Sequence, residues 1–349
     1  MTLARHQHVA SLDGLRGLAA FGVVIFHIGG LWSLSRPNHL YLAVPFFFTL
    51  SGYVVARSYE QKLLTSMSLK RFALIRLIRL YPMLFASLVI AAALGFSFHD
   101  VGMGLLFIPS LAAASLFPAN GPQWSLFTEL LGNAVHAAFA PILTNVALIV
   151  MIAIAFIACL FTSYTYSDFV IGWSADNFLG GVSVFGLTYP IGILLFRIEK
   201  LGKLPKLEVP LILLAVVYGV FTIGPQSWTT QFRAYPDLFV SCVIFPAILV
   251  LSLHATAQPW LNRLCKLGGD LSYPIYIIHH PILVAAGAFV VGTSWTHMER
   301  RIFALVVVAG ITGLAYVLLK FFDEPVRKAL SARFLHRQLV DERSRGGAA

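Results

Sequence analysis

Long apolar segments, separated by short polar ones, follow one another from residue 17 to residue 322. Runs of about 18 or more apolar residues are typical of helices that cross a membrane, and these runs lack the strict alternation of barrel strands. The pattern therefore predicts an all-α polytopic membrane protein with about ten transmembrane helices. The predicted spans are 17–35, 40–57, 79–98, 122–142, 143–163, 177–196, 208–225, 236–253, 271–292 and 301–322.

One further apolar segment, 103–117, is short and contains Pro109. We expect it to be a re-entrant segment or a short helix that does not cross the bilayer. Irregular backbone at membrane depth is tolerated only where protein or a cavity covers it. The sequence therefore predicts a cavity near residues 99–123, on the outer side.

Composition and charge agree with a membrane protein and orient it. Of the 349 residues, 58% are hydrophobic and only 11% are charged, and the mean hydropathy is +0.81; soluble domains carry about 25% charged residues. The net charge of +10 could suggest nucleic-acid binding, but the basic residues lie between the spans. With ten spans and a cytoplasmic N-terminus, 21 of the 25 Lys and Arg residues fall inside the cell, as the positive-inside rule requires. We therefore expect both termini in the cytoplasm and no nucleic-acid partner.

The same reasoning predicts one transmembrane domain over 1–330 and a basic, disordered cytoplasmic tail over 331–349. Within the first span, His27 is an ionisable residue in an apolar helix, which marks a candidate functional site. Arg16 precedes His27 by eleven residues, about three helical turns and 16 Å, so the two share a face; Asp13 can pair with Arg16. His27 could be a base poised near neutral pH or a structural hydrogen-bonding group between helices. The residue type alone favours neither.

Arg76 and Arg79 lie three residues apart beside the third predicted span. Two guanidinium groups on one helix face can bind a phosphate through planar, paired donors. The alternative is an anchor that contacts anionic lipid head groups, which is common beside membrane helices.

The segment Gln123–Glu129 opens a span from the predicted outer side. Glu129 would lie about 7–10 Å into the bilayer, at a depth similar to that of His27, and an intramembrane Glu needs a partner or a proton. Ser125 lies on the same turn, and Trp124 is typical of an interfacial anchor. His136 further along is expected to be structural.

Tyr276 and His279 form a second polar group, and His279 is predicted in the inner half of its span. The adjacent histidines 279 and 280 point about 100° apart on a helix. No Cys, Asp or Glu lies at ligand spacing from them, so no metal site is predicted. Ser51 belongs to a Ser-Gly pair that suits close helix packing; a nucleophilic role is the less favoured alternative.

These motifs, in this order, resemble the acyltransferase 3 family of integral-membrane O-acyltransferases. The resemblance extends over nearly the whole chain, and the elements that carry it are Leu12-Asp13-Gly14-Leu15-Arg16-Gly17 with His27, Phe47-Phe48 with Leu50-Ser51-Gly52, Arg76 and Arg79 with Pro82, Trp124-Ser125-Leu126 with Glu129, Ser272-Tyr273 with Tyr276, His279 and Pro281, and Asp323 with Pro325. One departure is Pro45, where many relatives carry an Asp.

The resemblance implies an enzyme of the bacterial inner membrane. It would transfer an acyl group, most simply acetyl, from cytoplasmic acyl-CoA to a hydroxyl of a sugar, polysaccharide or lipid-linked glycan at the outer face. His27 matches the essential histidine of the family, and Arg76 and Arg79 match arginines linked to acyl-CoA use. Arg16 and Glu129 match further positions tied to activity, Arg16 near the donor.

The resemblance predicts supporting roles, for the substrate or for the structure of the site, at Asp13, Ser51, Trp124, Ser125, Tyr276 and His279. We expect direct transfer in which His27 is the general base and Glu129 orients His27 or holds the acceptor. An acyl-histidine intermediate on His27 is the second mechanism. A transporter of an anionic solute is the rival function, although we find no inverted repeat of the kind that transporters carry.

Overall fold

The computed structural model describes residues 10–32, 34, 39–166, 169–223 and 234–335. Within these residues the chain is helical, and one isolated bridge pairs Pro210 with Thr256. In chain order the helices are α1 (Ala10–Leu31), α2 (Leu40–Thr65), α3 (Leu69–Ala93), α4 (Phe98–Leu105), α5 (Gln123–Phe139), α6 (Asn145–Tyr166), α7 (Phe178–Lys200), α8 (Leu211–Ile223), α9 (Tyr235–Ser252), α10 (Pro259–Val291) and α11 (His297–Leu335).

Eight of these helices are long and apolar enough to cross a membrane: α1, α2, α3, α6, α7, α9, α10 and α11. The remaining two predicted spans coincide with α5, which has 17 residues, and α8, which has 13. At 1.5 Å per residue these two are about 26 and 20 Å long, shorter than the hydrocarbon core of about 30 Å. A helical polytopic membrane protein is thereby confirmed, while the number of crossings and the side of each terminus stay predictions.

Three helices begin well before the apolar stretches that predicted them. α1 begins at Ala10 instead of residue 17, α3 at Leu69 instead of 79, and α10 at Pro259 instead of 271. Hydropathy marks only the part of a helix that lies in lipid, whereas Lys and Arg are good helix formers and continue the helix outside it. At the other end of the chain, α11 continues to Leu335, five residues into the predicted tail; the rest of that tail lies outside the described residues.

The predicted re-entrant segment 103–117 overlaps the end of the short helix α4, after which the chain runs without regular helix or strand to residue 122. The buried side chain of Asn120 fixes it to the bundle, because its Nδ2 donates to Ser87 Oγ on α3 and to the Ile277 carbonyl on α10, both at 2.9 Å. Protein therefore covers this irregular backbone, as its position among apolar helices requires.

Glycines bring two helix pairs into backbone contact. Gly17 on α1 faces the backbone of Gly268 on α10, and a side chain at Gly52 on α2 would overlap the Tyr189 carbonyl on α7. A side chain at Gly192 would overlap the backbone of α2 in the same way. Close approach through small residues is a common means of helix association in membranes. These contacts fix α1 against α10 and α2 against α7, and the polar side chains described next lie on these four helices together with α3 and α5.

Candidate active site

Two adjoining cavities lie inside the bundle. The first, here called the arginine cavity, has a volume of about 130 Å³ and is lined by Arg16, Arg76, Arg79 and Glu129 among others. The second, the histidine cavity, has a volume of about 370 Å³ and is lined by His27, His280, Tyr41, Trp124 and Trp173 among others. Val44 and Tyr276 line both, so the two cavities are separated by a thin layer of side chains.

In the arginine cavity, Glu129 neutralises one of the arginines. Arg76 Nη2 donates to Glu129 Oε1 at 2.5 Å, and Ser51 Oγ donates to the same oxygen at 2.7 Å. Arg76 is only 5% exposed, and a buried charge requires such a partner. The pair joins α2, α3 and α5, and the Ser51 hydroxyl supports the carboxylate.

Arg79 lies one turn further along α3 and differs from Arg76. It is exposed to the cavity, and in the described part of the chain no carboxylate pairs with it. Arg16 is held by α10: its Nε donates to Ser272 Oγ and its Nη2 to the Gly269 carbonyl, each at 3.0 Å. Asp13 lies 3.4 Å from the same guanidinium. With three arginines and one glutamate in its lining, the arginine cavity is suited to an anionic ligand.

In the histidine cavity, hydrogen bonds determine the tautomer of His27. Its Nδ1 lies 3.0 Å from the Val23 carbonyl, and a carbonyl can only accept, so Nδ1 carries the proton. The same nitrogen lies 3.1 Å from His279 Nε2. Because His279 Nδ1 in turn donates to the Ile275 carbonyl at 3.1 Å, His279 Nε2 is an acceptor. The lone pair of His27 is therefore on Nε2, which is the arrangement of a general base.

The neighbouring His280 has the opposite tautomer. The backbone N–H of Gly121 donates to His280 Nδ1 at 3.3 Å, so Nδ1 carries the lone pair and Nε2 the proton. The rings of His279 and His280 have their centroids 5.0 and 5.3 Å from that of His27. The divergence of adjacent side chains on α10 thus lets both rings contact His27.

The layer between the cavities contains a hydrogen-bonded tyrosine. Tyr276 OH and Ser125 Oγ lie 2.6 Å apart, and Phe47 packs edge-to-face on the Tyr276 ring at 5.6 Å. Both predicted supporting residues therefore lie at the junction. Among the described residues, no group of three or more His, Cys, Asp or Glu side chains has the arrangement of a metal site.

Several expectations need correction. Glu129 lines the arginine cavity, and its hydrogen bonds go to Arg76 and Ser51; of its two expected roles, to orient His27 or to hold the acceptor, the first does not agree with this position. His279 contacts His27 and so lies at the same level as His27, whereas the two are expected in different halves of the bundle. Depths counted from the apolar ends of α1 and α10 were wrong because both helices begin earlier.

Trp124 is also placed differently from the expected interfacial anchor. Its ring lines the histidine cavity and occupies space that side chains at Gly172 and Gly181 would need. Sequence reasoning missed His280 and Tyr41, which line the same cavity. The His-His-Pro sequence at residues 279–281 could have indicated His280, although its spacing is compared above only with that of metal ligands.

Comparison with known proteins gives the same family as the motifs. The family model of the acyltransferase 3 family, described as an acyltransferase domain, matches residues 9–320. "Protein 2 in picA locus" of Rhizobium radiobacter is 32% identical over 41% of this chain and 88% of its own length. The peptidoglycan O-acetyltransferase OatA of Listeria monocytogenes serovar 1/2a is 25% identical over 92% of this chain.

The alignment with OatA spans 56% of that protein's length, so the chain corresponds to about half of it. No solved structure matches the chain. The family match covers most of the chain and includes both cavities described above. The chain therefore belongs to the acyltransferase 3 family, and it is an acyltransferase that is integral to the membrane.

Proposed function

We propose that this acyltransferase moves an acyl group, most simply acetyl, from acyl-CoA to a hydroxyl of a glycan, with His27 as the general base. The observation that carries the proposal is the position of His27: this histidine lines a cavity that adjoins a second, cationic cavity. Acyl transfer from a phosphorylated donor requires a base close to an anion-binding site, and here the two cavities share one wall.

The arginine cavity would receive the donor. Acyl-CoA carries phosphates on its nucleotide and a thioester at the end of a long, thin arm. A volume of about 130 Å³ is below the roughly 300–1,000 Å³ of pockets that enclose drug-sized ligands, so the nucleotide would stay at the mouth and the arm would enter. Arg79 is the natural phosphate ligand because no carboxylate in the described chain pairs with it. The mouth of the arginine cavity would open on the cytoplasmic side of a bacterial inner membrane.

The histidine cavity would receive the acceptor at the outer face. Its volume of about 370 Å³ suits a sugar residue, and Trp124, Trp173 and Tyr41 give it aromatic walls on which the apolar face of a sugar ring can pack. A glycan acceptor also agrees with the name of one relative, which acts on peptidoglycan. A polysaccharide and a lipid-linked glycan would present the same hydroxyl.

The chemistry is one acyl transfer. His27 Nε2 takes the proton of the acceptor hydroxyl while the oxygen attacks the thioester carbonyl carbon; the C–O bond forms, the C–S bond breaks, and the CoA thiolate receives the proton from the imidazolium. General base catalysis of this kind contributes about 10²–10⁴-fold. The thioester reaches His27 only by passing Val44 and Tyr276, so the Tyr276 side chain would move away from Ser125 when the donor enters. In the alternative mechanism, His27 Nε2 itself is acylated first.

The test uses the purified full-length chain in lipid nanodiscs with radiolabelled acetyl-CoA and muropeptides, and it follows CoA release and labelled product. We expect transfer by the wild type and none by His27→Ala, while His99→Ala, at an exposed histidine outside both cavities, keeps full activity. Label that remains on the protein when acceptor is omitted would identify the acyl-histidine route. A folded His27→Ala variant with wild-type transfer would overturn both mechanisms.

A second measurement tests the class of acceptor. Mass spectra of cell-surface glycans and lipids from cells with and without the gene should differ by one acyl group on a glycan. A mass difference found only on a lipid without sugar would refute the glycan assignment and leave acyl transfer intact.

A further inference from the structure

His280 carries an Nε2–H group that makes no hydrogen bond within the described residues, although the fold holds the ring in place. The Gly121 N–H bond at 3.3 Å fixes the proton on His280 Nε2. In the described part of the chain no acceptor pairs with this Nε2, and the atom is not sealed off from the cavity. An uncommitted donor beside a general base is the arrangement that an oxyanion hole requires.

We propose that His280 is a second catalytic residue, whose Nε2–H donates a hydrogen bond to the thioester carbonyl oxygen as that oxygen becomes negative. This inference rests on the proposed acyl transfer. When the acceptor oxygen attacks, the carbonyl π electrons move onto the oxygen; they return when the C–S bond breaks and CoA leaves. His280 keeps its proton throughout, and His27 alone carries the transferred proton.

Geometry supports this division of roles. The His27 and His280 rings meet edge-to-face with centroids 5.3 Å apart, and their tautomers are opposite, so one presents a lone pair on Nε2 and the other a proton. Because the two rings are in contact, the thioester would lie beside them, where the acceptor alcohol can meet the base and the thioester carbonyl oxygen can meet the donor. Both rings are held by backbone groups, His27 by Val23 and His280 by Gly121, so neither needs to reorganise during the reaction.

Two other donors in this cavity are already committed. Tyr41 OH already donates to Asp237 at 2.8 Å, and Trp173 Nε1 donates to the Val170 carbonyl at 3.1 Å. The Ser115 hydroxyl also lines this cavity and has no hydrogen-bond partner among the described residues, so it is the competing donor. Ser115→Ala, which removes only this hydroxyl, therefore serves as its test.

Gly121 gives the ring the space it needs. A Cβ at this position would lie 2.9 Å from His280 Nε2, closer than carbon atoms of side chains normally approach. The residue that fixes the tautomer through its N–H thus also admits the imidazole through its lack of a side chain.

The experiment measures acetyl transfer from acetyl-CoA to muropeptides in nanodiscs for wild type, His280→Leu, His280→Gln and Ser115→Ala. Removing one oxyanion donor lowers kcat by about 10²–10³-fold, so we expect this loss in His280→Leu with the KM for acetyl-CoA unchanged. His280→Gln retains a side-chain N–H near the same place and should recover much of the rate. Ser115→Ala should keep the wild-type kcat, and His99→Leu is the matched control at an exposed histidine.

A donor analogue separates catalysis from a structural role. In a dithioacetyl analogue of acetyl-CoA, sulfur replaces the carbonyl oxygen and accepts hydrogen bonds poorly. The rate of the wild type should fall strongly when the analogue replaces acetyl-CoA. The rate of His280→Leu should change little, because this variant has no donor at that position to lose. Equal sensitivity of the two proteins, a wild-type kcat in His280→Leu, or a loss found in Ser115→Ala instead would overturn the proposal.

The outcomes also distinguish this proposal from the function on which it rests. If the wild type releases no more CoA than His27→Ala when muropeptides, a polysaccharide and a lipid-linked glycan are each offered as acceptor, acyl transfer itself is refuted. If the wild type is active and His280→Leu matches it, only the role of His280 is refuted. If size-exclusion chromatography shows that His280→Leu does not fold, His280→Gln decides. Because Gln keeps a side-chain N–H, this variant must lose rate with the dithioacetyl analogue as the wild type does.

Discussion

The two arginines of α3 should behave differently when each is replaced. Arg79 is exposed to the arginine cavity with no carboxylate partner in the described chain, whereas Arg76 is bonded to Glu129 at 2.5 Å. Arg79→Ala should therefore weaken donor binding and leave the fold intact. A hydrogen bond to a charged group contributes about 1.5–3 kcal/mol, and each 1.4 kcal/mol is tenfold in affinity. The expected rise in the Kd for CoA is roughly 10- to 140-fold.

Calorimetric titration of CoA into nanodiscs measures this Kd, and the KM for acetyl-CoA should rise with it. Arg79→Lys keeps the positive charge but lacks the planar guanidinium, so its Kd for CoA should lie between those of the wild type and Arg79→Ala. Arg57→Ala is the control, since Arg57 is paired with Glu199 at 3.4 Å and does not line the cavity. A Kd in Arg79→Ala within twofold of the wild type, or an equal change in Arg57→Ala, would refute the assignment of Arg79 to the phosphates.

Three further changes test the packing and the site. Glu129→Ala leaves Arg76 buried without its partner and should cost about 3–5 kcal/mol of stability, measured by SDS unfolding; adding Arg76→Met should restore much of it, and no recovery would contradict the pairing. His279→Leu removes one acceptor from His27 while the Val23 carbonyl remains, so kcat should fall about tenfold at constant donor KM; an unchanged kcat would show that His279 is dispensable. Gly192→Ala forces a side chain against the backbone of α2 and should lower the free energy of unfolding by about 1–3 kcal/mol. Gly313→Ala, where nothing lies within 4 Å of the new side chain, should be neutral. Equal melting temperatures of the two variants would refute the close contact.

Much of the fold could be predicted from the sequence because lipid imposes a strong pattern. Each apolar run predicted as a span coincides with a helix, and the short segment 103–117 leads into irregular chain held between helices. The helix starts could not be predicted in the same way. Hydropathy ends where lipid ends, but α3 and α10 continue for ten and twelve residues more at their N-terminal ends.

The site residues were found by their residue type, but their pairings were not. Glu129 was expected near His27, and in the structure it neutralises Arg76, which is 53 residues away in the chain. His27 meets His279 across 252 residues. Such pairings depend on the rotation and depth of each helix, and an error of a few residues in a helix start changes both. The roles predicted for these side chains in catalysis and donor binding stay predictions.

The shared wall of Val44 and Tyr276 has a consequence for the cell as well as for the reaction. A bilayer keeps ions apart by about 30 Å of hydrocarbon, whereas between the two cavities the separation is a single layer of side chains. In the proposed orientation, with the arginine cavity open to the cytoplasm and the histidine cavity to the outer face, the insulation of the membrane at this place depends on Val44 and on the bond between Tyr276 and Ser125. Substitutions that shrink this layer, such as Tyr276→Ala, are expected to let protons leak across and to lower the membrane potential, a cost to the host that is separate from lost acylation.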